Sequence, residues 1–143
     1  MANNTLTRTS TVDSLIGAYR SHVLGRSLPA PTAVDFVPGS REIGVQVGYG
    51  SDLGSCLANL LVWAYTLTDV TAQWWHTPSH NLHVTVTGRT ANGARIRVYS
   101  GGEFSQCHGL IRLGPDQHDG VSLDELYTLA GLLREAQHER EVA

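Results

Sequence analysis

The sequence of 143 residues has no lysine; all ten of its basic residues are arginine. Function alone rarely removes one cation from a solvated surface. The absence therefore reads as the codon bias of a GC-rich genome, such as that of an actinobacterium or one of its phages. Cysteine is nearly as scarce. Cys56 and Cys107 are too few for a disulfide framework. None is needed, because a chain of this size buries roughly 68–70% of its unfolded surface. Long hydrophobic runs are missing as well. The longest, Leu60 to Tyr65, falls far short of the ~20 residues that span a bilayer. Met1 to Thr11 is polar and lacks the apolar centre of a secretory signal, which makes the cytoplasm the expected compartment and excludes a membrane partner. Nor is there an excess of positive charge. With a formal net charge of -3, nothing draws the chain generally to nucleic acid, and such binding would need a local basic patch.

What is present suits one α+β domain over residues 1–143, with residues 1–9 and 138–143 expected to fray. Val12, Leu15, Ile16, Tyr19 and Val23 recur at helical spacing and predict a helix over Ser10–Leu24, with Ser10 and Asp13 as a capping box. Val34 and Phe36, then Ile43, Val45, Val47 and Tyr49, alternate as two strands. Pro38 to Arg41 fits a four-residue loop that sets Phe36 opposite Ile43. Leu53, Cys56, Leu57, Leu60, Leu61 and Ala64 form the stripe of a second helix over Asp52–Leu67, with Ser51 as its N-cap. Val62, Trp63 and Tyr65 make that helix apolar nearly all round, as in a central or partner-facing helix.

Three strands, Val70–His76, Asn81–Gly88 and Ala94–Ser100, read as a meander, with a short sixth strand expected near Leu110–Leu113. The last helix is the clearest. Ser122 and Glu125 form a capping box, Val121 can staple onto Leu126, and Leu129, Ala130 and Leu133 continue the stripe. The expected architecture is a mainly antiparallel sheet of five to six strands with three helices, mostly on one face, in the order α-β-β-α-β-β-β-(β)-α. In outline this order resembles small dimeric secretion chaperones, although no motif carries the likeness.

Parity settles the meander's register. A two-residue Asn92-Gly93 turn would put Val84 and Val86 on one face with Arg97 and Tyr99. A three-residue loop, Ala91 to Gly93, instead sets Val86 opposite Val98, with Gly93 in the left-handed position of a G1 bulge. The same test makes Pro78-Ser79-His80 the preceding loop. Val70, Ala72, Trp74, Leu82, Val84, Val86, Ile96 and Val98 then face the helices. Gln73, Trp75, His83, Thr85, Thr87, Arg89, Arg95, Arg97 and Tyr99 line the opposite face.

That open face is the best functional lead. Arg and large aromatics concentrate at binding hot spots and also stack on nucleic-acid bases. Trp75, His83, Arg95, Arg97 and Tyr99 are the candidate binding residues, and Trp75 resists a purely solvated reading unless the Gly101–Gly114 segment covers it. Other motifs are weaker. His76, His80, His83, Cys107 and His108 supply enough nitrogen and sulfur for zinc, but their spacing matches no zinc signature, and parity points His76 inward and His83 outward. Gly48 to Gly54 joins a strand to a helix but misses the dinucleotide pattern at Leu53. Cys107 beside His108 has a nucleophile and a base with no third group to orient them. Asp116, His118 and Asp119 read as turn residues.

The leading reading is a non-enzymatic interaction or regulatory module that needs no cofactor or metal. It would bind a protein partner, or a second copy of itself, through the open sheet face or the apolar second helix. One alternative is a nucleic-acid binder using Arg89, Arg95, Arg97, Trp75 and Tyr99. The other is a small enzyme, metal-dependent or metal-free, around His76, His83, Cys107 and His108.

Overall fold

The computed structural model describes the backbone over residues 3–50 and 52–142, and the side chains of all these except 3–10. Helix α1 (Asn3–Val23) leads to strands β1 (Ala33–Val37) and β2 (Glu42–Gln46), helix α2 (Leu53–Ala64) and strands β3 (Thr68–His76), β4 (Asn81–Arg89) and β5 (Arg95–Glu103). A single 3-10 turn (Phe104–Gln106), strand β6 (His118–Val121) and helix α3 (Leu123–Val142) complete the chain. The sheet order is β1-β2-β5-β4-β3-β6. Every pairing is antiparallel except that of β2 with β5, which is parallel.

Loop length fixes the faces. Val86 pairs with Val98, and Gly93 closes the β4–β5 loop at φ 87°. At the β3–β4 loop the Thr77 N–H bonds to the Asn81 carbonyl at 2.8 Å, leaving Pro78, Ser79 and His80 outside the ladder. His80 takes the left-handed position there (φ 65°) that glycine takes in the next loop. The four-residue Pro38–Arg41 loop pairs Phe36 with Ile43. The parallel junction then continues the inward set, with Ile43 beside Ile96 and Val45 beside Val98. These side chains form one core with Leu15 and Ala18 of α1, Leu57 and Leu60 of α2, and Leu126, Leu129 and Leu133 of α3.

Several local expectations are corrected. Ser10 lies inside α1 and is not its cap. The α2 cap is Asp52, whose carboxylate accepts from the Ser55 N–H at 3.2 Å and hydroxyl at 2.7 Å; Ser51 lies outside the described residues. The helix stops at Ala64, short of Leu67. Val62 and Tyr65 remain exposed, so α2 is not covered all round. The sixth strand is His118–Val121, added to the β3 edge, and Leu110–Leu113 contributes only an isolated bridge between His108 and Ile111. Its first three residues, His118, Asp119 and Gly120, are exposed, because an edge strand needs only its backbone to pair. The α3 capping box forms as expected, with Glu125 N–H on Ser122 Oγ at 3.0 Å and Ser122 N–H on Glu125 Oε1 at 3.2 Å. Val121 and Leu126 are both buried in the core.

One buried polar junction ties three elements together. His22 of α1 is fully buried, and its Nδ1 accepts from the Ala91 N–H in the β4–β5 loop at 3.1 Å. That bond places the ring proton on Nε2, which donates to Thr66 Oγ1 at 2.8 Å beyond α2. The Thr66 hydroxyl donates in turn to the Trp63 carbonyl at 2.7 Å. Only neutral imidazole satisfies this chain. Burial, reinforced by the Arg26 charge, lowers the His22 pKa from its ordinary value. Between that lowered value and about 6.5 the unfolded chain binds the proton and the folded chain does not. Stability from this group is complete above about pH 6.5 and is lost as pH falls toward the lowered value. Urea unfolding at stepped pH should show that loss below neutrality. His22→Ala should flatten the His22-linked part of the slope and cost about 2–4 kcal/mol at pH 7.5.

Candidate functional site

Four residues fall on one transverse line of the outward sheet face. His118 of β6 pairs with Trp75 of β3, Trp75 with His83 of β4, and His83 with Gly101 of β5. Gly101 has no side chain, and the Tyr49 ring takes the space: a Cβ there would lie 2.8 Å from Tyr49 Cε2. The line therefore reads as four rings. His118 stacks on Trp75 at 4.7 Å between centroids, His83 meets Trp75 edge-on at 6.3 Å, and Tyr49 lies 5.9 Å from His83. Tyr99 flanks His83 at 5.8 Å. Such edge and offset contacts suit the ring quadrupoles. Trp75 is held at its indole end as well, its Nε1 donating to Asp116 Oδ1 at 2.9 Å.

Tyr49 reaches this face through a parity break. Alternation from β2 would turn it inward with Val45 and Val47, but Gly48 at φ 68° redirects the chain. The Ser100 hydroxyl holds the break, donating to the Val47 and Gly48 carbonyls at 2.8 and 3.0 Å. The Gly50 N–H closes it on the Gly101 carbonyl at 3.1 Å.

The structure places all five sequence candidates on the outward face, with Trp75, His83 and Tyr99 clustered and Arg95 at the far end of β5 from the Trp75–His83 row. Trp75, His83, Arg97 and Tyr99 are half-buried on the outward face, and Arg95 is exposed. The arginines are not free cations. Arg97 Nε lies 3.3 Å from Glu42 Oε1, and Arg95 reaches the other oxygen of the same carboxylate at 3.9 Å. The Arg97 guanidinium also sits over the Tyr99 ring at 5.0 Å. Arg89 donates to the Gly93 carbonyl at 3.3 Å. Burial, with the Arg97 charge beside it, lowers the His83 pKa, and burial raises that of Tyr49. The Glu42 carboxylate therefore balances one of the two guanidinium charges it faces.

Sequence reasoning missed three members of this site. Tyr49 was assignable only with the Gly48 turn in view; Asp116 is the turn residue the sequence suggests and also accepts from the Trp75 indole, whereas His118 lies in β6 and stacks on Trp75. No local signal marks an edge strand made of His-Asp-Gly-Val. The Gly101–Gly114 segment does not cover Trp75. It folds toward the inward side, where Phe104 stacks on His76 at 3.6 Å and Leu113 accepts from His76 Nδ1 at 3.0 Å.

The remaining histidines and cysteines do not converge. His76 is buried and inward, while His83 is outward and His108 exposed. Among the described residues no group of three or more His, Cys, Asp or Glu side chains could hold a metal ion. Cys107 is fully buried, its thiol donating to the Phe104 carbonyl at 3.3 Å and its pKa pushed up by burial to about 11. Such a thiol is a poor nucleophile. Among the described residues, no helix is long and apolar enough to cross a membrane. Comparison with known proteins gives no relative: no family model, curated protein or solved structure matches the chain.

Two outcomes test this geometry. Gly101→Ala should destabilise the fold by about 1–3 kcal/mol or more, because the new Cβ would collide with the Leu82 carbonyl oxygen and the Tyr49 ring; urea titration measures it. Neither Cys56 nor Cys107 is in a disulfide and both are buried, so a thiol reagent at pH 8 should label neither in the native protein and both after denaturation.

Proposed function

We propose that this chain is a non-enzymatic interaction module whose open sheet face takes a protein partner or a second copy of the chain. The observation that carries the reading is the ring row His118–Trp75–His83–Tyr49, which lies on the side of the sheet away from the helices and the core. Rigid aromatic side chains offer contact area with little rotamer entropy to lose, which is why they dominate binding hot spots. Internal bracing adds to that advantage, since Asp116 and His118 fix Trp75 before any partner arrives. Cytoplasmic residence in a GC-rich bacterium or its phage fits the same reading.

The arginine pairing favours a protein over a nucleic acid. A phosphate backbone would have to compete with Glu42 for both Arg95 and Arg97. The inert Cys107 and the scattered histidines likewise favour binding over catalysis.

Trp75→Ala and the double variant Arg95→Ala, Arg97→Ala should each weaken association by at least about 1–2 kcal/mol, as hot-spot truncations do. Because Trp75 is half-buried, its loss should lower the thermal midpoint by only a few degrees, about 1 kcal/mol. Sedimentation equilibrium reports self-association, and capture from a lysate of the source organism with wild-type and Trp75→Ala baits reports a partner. If both baits retain the same partners and the same assembly state, the outward face is not the interface. If Trp75→Ala unfolds the isolated chain, Trp75 is a core residue and the reading fails.

A further inference from the structure

We infer that a second copy of this chain docks in the groove between α2 and α3, about a two-fold axis. The groove has a volume of about 320 Å³ and lies on the helical side of the molecule, away from the outward ring row. Ala58, Val62 and Tyr65 of α2 line one wall, and Tyr127, Gly131 and Arg134 of α3 line the other. Its large apolar side chains are open to water. Tyr127 is 66% exposed, Tyr65 58% and Val62 43%. Single exposed apolar residues are ordinary on a protein surface, but three around one groove mark a place that another molecule covers.

Two features of α3 identify that molecule as a second copy. The first is Gly131. It lies well inside the helix Leu123–Val142, where glycine is less stable than alanine. A Cβ there would meet nothing within 4 Å, so no contact within the chain calls for a glycine. Close approach by a neighbouring molecule does call for one. The second is the spacing around it. Asp124, Tyr127, Gly131 and Arg134 recur at intervals of three and four and are all exposed, so they form one stripe along the helix. Antiparallel pairing of two α3 helices about a two-fold axis sets Tyr127 opposite the second copy's Gly131. The same register sets Asp124 opposite the second copy's Arg134, because both pairs are centred on position 129. Each tyrosine ring then enters the space above a glycine, and an ion pair flanks it on either side. Among the described residues, Asp124 and Arg134 form no ion pair within their own chain. The stripe is thus complementary to itself in both shape and charge, which is what a two-fold interface requires. The two helices present roughly 500 Å² per copy, the size of a weak interface, so the expected dissociation constant is micromolar.

Sedimentation equilibrium of the full chain, from about 5 to about 500 µM, tests this contact. Wild type should follow a monomer–dimer equilibrium. Trp75→Ala should leave its constant within about twofold, which separates this contact from one through the outward face. Asp124→Arg and Arg134→Asp should each weaken the dimer about tenfold or more, because each sets like charges opposite one another twice. The two exchanges combined should restore it. Gly131→Gln should raise the thermal midpoint of the monomer, since glutamine is the better helix former, and yet weaken the dimer about tenfold. A glycine with only a structural role would not give those opposite signs. All three positions are exposed, so the variants should fold, and their circular dichroism will show it. The proposal is overturned if wild type stays monomeric at about 500 µM, or if Trp75→Ala dissociates the dimer. It is equally overturned if the combined exchange dimerises no better than the single ones, or if Gly131→Gln dimerises like wild type.

Discussion

Strand parity is the constraint on which the rest of this molecule depends. Three consecutive strands, β3, β4 and β5, are joined by two loops of three residues, and an odd loop keeps alternate side chains on the faces they began on. Shortening the β4–β5 loop by one residue would turn Val84 and Val86 against Arg97 and Tyr99, and shortening the β3–β4 loop would turn them against Gln73 and Trp75, leaving the core half polar. The cost of holding this register is left-handed backbone at His80 and Gly93, small beside the burial of Leu82, Val84, Val86, Ile96 and Val98.

From that division follow two different surfaces. On the inward side the strands meet α1, α2 and α3, and polar atoms there are few and most are committed: His22 to Thr66 and Ala91, Ser100 to the Val47 and Gly48 carbonyls. On the outward side the same strands carry rings and arginines, most of them braced by neighbours instead of buried. The adjacent tryptophans of β3 express the contrast at the scale of one peptide bond. Trp75 has an acceptor for its indole N–H and lies on the outer face, whereas Trp74 is buried on the inward side and has none.

The electrostatics of the outward face are settled locally. Glu42 sits opposite Arg95 in the parallel β2–β5 ladder and reaches Arg97 on the next row. A single carboxylate thereby faces two guanidinium groups and balances the charge of one, and Tyr99 takes the face of Arg97. This arrangement keeps planar, weakly hydrated cations beside aromatic rings without building the strong positive potential that phosphate recognition would use.

Much of the fold was legible in the sequence by itself, because its determinants are local. Alternation gave the inward sets of five strands, loop parity gave the Val86–Val98 and Phe36–Ile43 pairings, and Ser122 with Glu125 marked the start of α3. The five candidate residues share a face for the same reason, since period-two alternation is a property of the strand alone. Tertiary structure decided what depends on distant partners. It joined β2 to β5 in parallel, which brought Glu42 to the arginines, and it paired His118–Val121 with the β3 edge through backbone groups that side-chain pattern does not encode. It also let Gly48 turn Tyr49 outward onto Gly101, because a glycine permits left-handed backbone without requiring it and only the Ser100 and Gly101 contacts select that state.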